Sequence, residues 1–153
     1  MKALIQRVSS AKVEVENKTV SSINHGLLIF IGIYFNDTLN DIDKLYNKVI
    51  NMRVFEDKNK FSVSDVKGEI LLVSQFTLCA DTKKGNRPSF KSAMEPKSAK
   101  KMFDSLVNKF KNSKLKIKEG KFGKVMNITL KNNGPMTIFL DTKSWNEIIQ
   151  LEL

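Results

Sequence analysis

At 153 residues, of which 41% are hydrophobic and 27% charged, the chain is long enough for one folded domain, residues 1–153, with a core that needs no covalent staples. The lone cysteine, Cys79, excludes an intrachain disulfide and a multi-cysteine metal site, and the longest apolar run, Gly26 to Phe35, is about half a membrane span, so a soluble, cytoplasmic protein without a membrane partner is expected. The net charge of +10 is uneven: residues 83–131 carry 15 of the 26 Lys and Arg against three carboxylates, which leaves −2 for the remainder. Such a basic half suits a polyanion bound through counterion release. It equally suits a solvated lysine-rich face, since only Arg7, Arg53 and Arg87 are arginine.

Ala3–Val8 and Lys12–Glu16 alternate with period two, Glu16-Asn17-Lys18 turns the chain, and Thr19–Ile23 pairs back as an antiparallel opening. Leu27–Tyr34 is apolar on both faces and reads as a central strand, introduced by the turn Asn24-His25-Gly26. A helix is expected over Leu39–Met52, capped by Asp37 or Thr38, with Ile42, Leu45, Tyr46, Val49 and Ile50 on one face. Arg53–Phe55 is a short strand before a charged loop, Glu56–Lys60, and Glu69–Cys79 reads as the strongest strand. Asp81–Lys91 is a basic loop containing Gly and Pro. Pro96 then opens a second helix, whose Ala99, Met102, Phe103, Leu106, Val107 and Phe110 recur at three and four. Strands near Leu115–Lys118, Lys124–Lys131 and Met136–Asp141 and an amphipathic tail with Trp145, Ile148 and Ile149 complete the chain. The pattern predicts an α+β fold: a mostly antiparallel, curled, barrel-like sheet with two main flanking helices, and no βαβ nucleotide fold.

Missing residue types narrow the chemistry. His25 is the only histidine and precedes a turn glycine, where a structural role is expected. No His cluster, Cys pair or carboxylate pair has ligand spacing, so neither a metal nor a cofactor is expected. Cys79, among apolar residues, reads as a buried thiol. Thr77 is the better-placed nucleophile, yet no base accompanies it, and a cross-strand hydrogen-bonding role fits as well. Lys83-Lys84-Gly85-Asn86-Arg87-Pro88 lacks P-loop spacing.

Two polar interruptions of apolar runs are the natural material of one site: Ser74-Gln75-Phe76-Thr77 and Asn132-Asn133-Gly134-Pro135. A Gly-Pro step beside a strand exposes carbonyls, removes a donor and permits a cis bond. Arg7 shares the Ala3-Ile5-Arg7 face; it either points inward, to carbonyls such as those of residues 133–135, or guards a strand edge.

Taken in order, Gln6-Arg7-Val8, Ser74-Gln75-Phe76-Thr77-Leu78 with Ala80-Asp81-Thr82, Arg87-Pro88-Ser89-Phe90, Gly120-Lys121-Phe122-Gly123 with Met126, and Asn132-Asn133-Gly134-Pro135-Met136-Thr137 resemble the D-aminoacyl-tRNA deacylases across nearly the whole chain. Cys79 and Met136 depart mildly from that pattern. The resemblance implies a homodimer, with active sites at the subunit interface, that hydrolyses the ester linking a D-amino acid or glycine to the terminal adenosine of tRNA. It implies a cis Gly134-Pro135 step entering the partner's site to exclude L side chains, with Arg7 orienting it. Ser74, Gln75, Phe76 and Thr77 would line the catalytic pocket, Phe122 and Met126 would lie near the adenosine, and Lys83, Lys84 and Arg87 would meet the tRNA backbone. The alternatives are a non-enzymatic basic module that binds RNA or DNA, using aromatics such as Phe90 and Phe122, and a Cys- or Thr-dependent hydrolase of small esters.

Overall fold

The computed structural model describes residues 1–55 and 60–146; most of the charged loop and Ile148 and Ile149 of the tail lie outside these. The first two expected strands are one, β1 (Lys2–Val15), which forms a hairpin with β2 (Lys18–Ile23) across Glu16 and Asn17, both with positive φ. Asparagine accepts that conformation at little cost and fits a tight hairpin turn.

β3 (Gly26–Gly32) pairs antiparallel with β1 on one side and parallel with β6 (Glu69–Ser74) on the other. Between them the chain passes through α1 (Leu39–Asn51) and the small pair β4 (Arg53–Phe55) and β5 (Phe61–Ser62). α2 (Pro96–Lys111) carries the chain from β6 to β7 (Ile117–Glu119), again in parallel. β8 (Asn127–Asp141) returns antiparallel along β1. The result is a nearly closed, barrel-like sheet with two helices, an α+β fold in which antiparallel pairs outnumber the two parallel ones among the described residues.

Three further expected elements change. Glu69–Cys79 is not one strand: it ends at Ser74, and Phe76–Cys79 forms a 3₁₀ turn. Alternating apolar residues do not distinguish a strand from a short turn packed on a sheet. Lys124–Lys131 and Met136–Asp141 merge into β8, with residues 133–136 inside it as a bulge.

Thr38 is the N-cap of α1, and its N–H and Oγ1 both donate to Asp41. Glu95 caps α2 by accepting from the N–H groups of Lys97 and Ser98. Such caps contribute about 1 kcal/mol each. The buried stripes of the two helices, Ile42, Leu45 and Val49 against Phe103, Leu106, Val107 and Phe110, close one face of the sheet. Fully burying a residue such as Phe103 or Phe110 contributes roughly 1.5–3 kcal/mol. On the other face, Val8, Ala11, Val13, Leu28, Leu71 and Val73 form a second cluster.

At the chain's crossing point, Asp41 accepts from Thr142 Oγ1 at 2.6 Å and from Lys143 Nζ at 3.1 Å, while the Met1 amine donates to Asp37 at 2.6 Å and to Thr142 at 2.7 Å. Burial opposes ionisation of Asp41. The hydrogen bonds from Thr142, Thr38 and Lys143 outweigh it and hold the carboxyl well below the ordinary carboxylate range.

Candidate active site

β6 delivers the first polar island to the rim of a cavity of about 790 Å³. Ser74 ends the strand, pairing in register with Ile31; the Gln75 N–H donates to the Ile31 carbonyl at 2.7 Å, and the chain then winds into the Phe76–Cys79 turn. That turn lies directly on β3 because residue 32 is glycine. A Cβ there would stand 2.8 Å from Leu78 Cβ and 3.2 Å from Cys79 Sγ, inside normal contact.

Ser74, Gln75 and Phe76 at the end of β6 line the cavity, together with Phe122 and Met126 from the segment after β7. Ile31, Ile33 and Ala99 supply apolar lining, and Met94, Glu95 and Pro96 bring the start of α2 to the edge. Phe122 is held by a tilted contact with the buried Phe103, ring centres 5.8 Å apart. Met126 Sδ accepts from the Lys121 N–H at 3.3 Å, and a Cβ on Gly120 would lie 2.8 Å from that sulfur.

Thr77 sits just outside the lining, exposed, its Oγ1 accepting from the Gln75 side-chain amide. Among the described residues the backbone N–H groups of Phe76 and Thr77 have no acceptor, so two free donors open the turn at the cavity rim. Among the described residues no base reaches Thr77: an amide is its hydrogen-bonding neighbour, and His25 packs edge-on against Phe55, 5.1 Å between ring centres, outside the lining. Burial pushes the Cys79 thiol up to about 11, and the residue is 1% exposed, so it is a packed side chain and not a thiolate. Among the described residues no cluster of three potential metal ligands occurs.

The second island does not join this cavity in its own chain: Arg7, Gly134 and Pro135 are absent from its lining. Gln6 pairs with Thr137 and Val8 with Asn132, so residues 133–136 bulge out opposite Arg7 alone. Arg7 is 9% exposed and points inward. Its Nε donates to the Asn133 carbonyl at 3.0 Å, Nη2 to the Gly134 carbonyl at 2.9 Å, and Nη1 to the Val54 carbonyl. The Gly134-Pro135 bond is cis, and both residues are exposed. Beside the bulge, Leu4, Phe30 and Phe139 stand in register on one sheet face, with Phe139 51% exposed.

Lys83, Lys84 and Arg87 ride on an exposed loop closed by paired backbone hydrogen bonds between Asp81 and Ser89. The next residue, Phe90, packs edge-to-face on Phe76, 5.1 Å between centres, and so ties the loop to the cavity rim. Other lysines of the basic half are neutralised: Lys100, Lys109, Lys111 and Lys116 pair with Asp104, Asp43, Glu119 and Glu69. Among the described residues Lys83, Lys84 and Arg87 form no ion pair, and Lys124 lines the cavity.

The sequence pattern of the D-Tyr-tRNA(Tyr) deacylase family matches residues 4–141. This chain belongs to that family. Family membership makes it a hydrolase of carboxylic ester bonds. A D-aminoacyl-tRNA deacylase from Aquifex aeolicus (strain VF5) is 52% identical over 146 residues, covering 94% of this chain and 99% of the relative. One from Thermosipho africanus (strain TCF52B) is 48% identical, covering 94% and 98%. Among solved structures, a c-Myc DNA unwinding element binding protein superposes with a TM-score of 0.87 at 39% identity, covering 92% of this chain and 98% of that one. A probable eukaryotic D-amino acid tRNA deacylase, at 15% identity and a TM-score of 0.78 over 91% of this chain and 97% of that one, shares the fold.

The sequence did not identify the α2 side of the cavity or the Val54 carbonyl. Ala99, the one small residue in a stripe of large ones, was the available signal for the first; a backbone acceptor on a distant strand leaves none.

Proposed function

We propose that residues 1–153 act as one cytoplasmic D-aminoacyl-tRNA deacylase domain, hydrolysing the ester between a D-amino acid, or glycine on tRNA-Ala, and the terminal adenosine. The observation that carries this reading is the pair of acceptor-free N–H groups of Phe76 and Thr77 at the rim of a nucleoside-sized cavity, with no base on Thr77. An aminoacyl ester is already activated, so donors placed where the carbonyl oxygen becomes an oxyanion can supply much of the needed stabilisation, each being worth roughly 2.7–4 kcal/mol in acyl-transfer enzymes. Water adds to the carbonyl carbon, the oxyanion rests on the two N–H groups, and collapse breaks the bond to the ribose oxygen, which leaves with a proton. The neighbouring ribose hydroxyl and Thr77 orient the water, while Ser74 and Gln75 hold the wall and Phe122 and Met126 enclose the adenine.

Chirality selection is assigned to the Gly134-Pro135 carbonyls of a second copy. In its own chain the step lies away from the cavity, yet Arg7 fixes it, and the half-exposed Leu4, Phe30 and Phe139 face beside it suits a homodimer contact. Carbonyl oxygens would repel an L side chain whatever its identity, so one device could proofread many amino acids. Lys83, Lys84 and Arg87 meet the tRNA backbone.

A second reading, a nucleic-acid-binding module without catalysis, is favoured by the basic loop and by the name of the 39% identical DNA unwinding element binding protein. Incubating purified protein with D- and L-aminoacyl-tRNA and measuring released amino acid separates the two. The deacylase reading expects release from the D-ester alone; binding without release from either ester overturns it.

A further inference from the structure

The two rim aromatics have a use beyond packing. Phe76 is 59% exposed and Phe90 37% exposed, both large apolar side chains left facing solvent, and they brace one another edge-to-face with their planes 70° apart. In that arrangement one ring props the other, whose open face offers a flat, rigid surface. Around it cations outnumber carboxylates: Lys83, Lys84 and Arg87 stand on the loop that ends at Phe90, Lys91 follows it and Lys124 lines the cavity, against Asp81 at the base of the loop and Glu95 in the lining. Exposed aromatic faces interleaved with unpaired cations suit a single-stranded polynucleotide, whose bases stack and whose phosphates meet the charge.

The size of the cavity gives that strand its register. At about 790 Å³ it lies in the range that takes one drug-sized ligand, here an aminoacylated nucleoside. The preceding nucleotide of the same strand then lies toward the solvent-facing edge of the cavity, where the exposed Phe76 and Phe90 form part of the lining. Resting on the deacylase reading above, we propose that Phe76 and Phe90 form a stacking platform for the base of the nucleotide preceding the esterified adenosine, with the loop of residues 82–88 holding its phosphate. Stacking needs only a π face, so the platform is indifferent to base identity and lets one enzyme accept many tRNAs.

The test is a cycle of protein and substrate changes. D-aminoacylated oligonucleotides are prepared with either a normal or an abasic nucleotide before the terminal adenosine, and KM is measured for wild type, Phe90→Leu and Phe90→Tyr. Removing the base should raise the wild-type KM about tenfold, within the range for loss of one stacked base. Phe90→Leu should show a similar rise on the normal substrate and little further change on the abasic one, and Phe90→Tyr, which keeps the ring, should restore wild-type behaviour. An unchanged wild-type KM on the abasic substrate overturns the platform without any variant, so a Phe90→Leu protein that fails to fold does not blunt the test. Independent, multiplying effects of the two changes also overturn it. So does conversion of the Phe90→Leu protein to a smaller species in sedimentation, which would make the rim a subunit contact. A wild-type enzyme that hydrolyses none of these D-esters overturns the deacylase reading itself.

Discussion

Replacing Gly32 by alanine perturbs the candidate site without touching any group that would meet substrate. The added methyl would stand 2.8 Å from Leu78 Cβ, 3.2 Å from Cys79 Sγ and 3.3 Å from the Gln75 carbonyl. Optimal carbon contacts are roughly 3.5–4.0 Å, so the Phe76–Cys79 turn must retreat by about 1 Å. The clash is with a Cβ and backbone, which cannot swing aside as a side-chain tip can. The proposed oxyanion donors ride on this turn, and a displacement of about 1 Å can cost about 100-fold, or roughly 2.7 kcal/mol of transition-state stabilisation. Phe122 and Met126 are not among the groups the added methyl would meet, so the loss should fall on kcat and leave KM within about threefold. Overpacking should also cost roughly 1–3 kcal/mol of stability. Single-turnover hydrolysis of D-aminoacyl-tRNA, with thermal denaturation alongside, measures both. A folded Gly32→Ala enzyme whose kcat stays within about threefold of wild type would refute the assignment of the turn's N–H groups as the oxyanion site.

Neutralising Lys83, Lys84 and Arg87 should raise KM for charged tRNA and flatten its dependence on log salt by roughly 0.7 for each phosphate no longer neutralised, with D-over-L discrimination intact; an unchanged slope would mean that the tRNA approaches from another side. Arg7→Ala should relax discrimination against L-aminoacyl-tRNA and lower stability, because three backbone carbonyls lose their donor; unaltered selectivity, measured as the ratio of D to L kcat/KM, would detach the Gly134-Pro135 step from chirality. Asp41 makes a pH prediction. Its folded-state pKa lies below the ordinary value near 3.8, so its contribution to stability is fully present above that pH and is lost as pH falls through the folded pKa. Asp41→Asn should therefore be less stable than wild type by about 2–3 kcal/mol at pH 7, with the gap closing in denaturation curves taken below about pH 4; a gap that persists unchanged at pH 3 contradicts this.

Much of the fold was legible because its signals are local. Period-two alternation marked β1 and β2, the stripes of α1 and α2 recur at helical spacing, and Thr38 and Pro96 fall at the helix starts. The two parallel pairings were not legible. β3 and β6 are buried on both faces, which is how parallel strands read, but strand order is set by where the crossover helices pack and no local residue records it. The Ser74–Thr77 segment was identified by its polarity while its 3₁₀ shape was missed, since that shape follows from Gly32 admitting the turn onto β3. For Arg7, sequence left an inward and an edge role open, and the structure decides for the inward one: β1 is flanked along its length, by β3 and β2 on one side and β8 on the other. Its third acceptor, the Val54 carbonyl, comes from a segment 47 residues away and had no signature.

Hydrolysis by backbone donors, with no side-chain nucleophile, is tested most directly by Thr77→Ala in single turnover on D-aminoacyl-tRNA, with intact-mass analysis of quenched wild-type enzyme. The hydroxyl's hydrogen-bonding neighbour is the Gln75 amide, and among the described residues no base reaches it. The variant should retain a rate within about tenfold of wild type, in keeping with a group that orients water without attacking, and no acyl-enzyme should accumulate. A loss of several orders of magnitude, like that of a triad knockout, or a trapped aminoacyl adduct on Thr77 in the wild-type protein, would make Thr77 the nucleophile and contradict the mechanism.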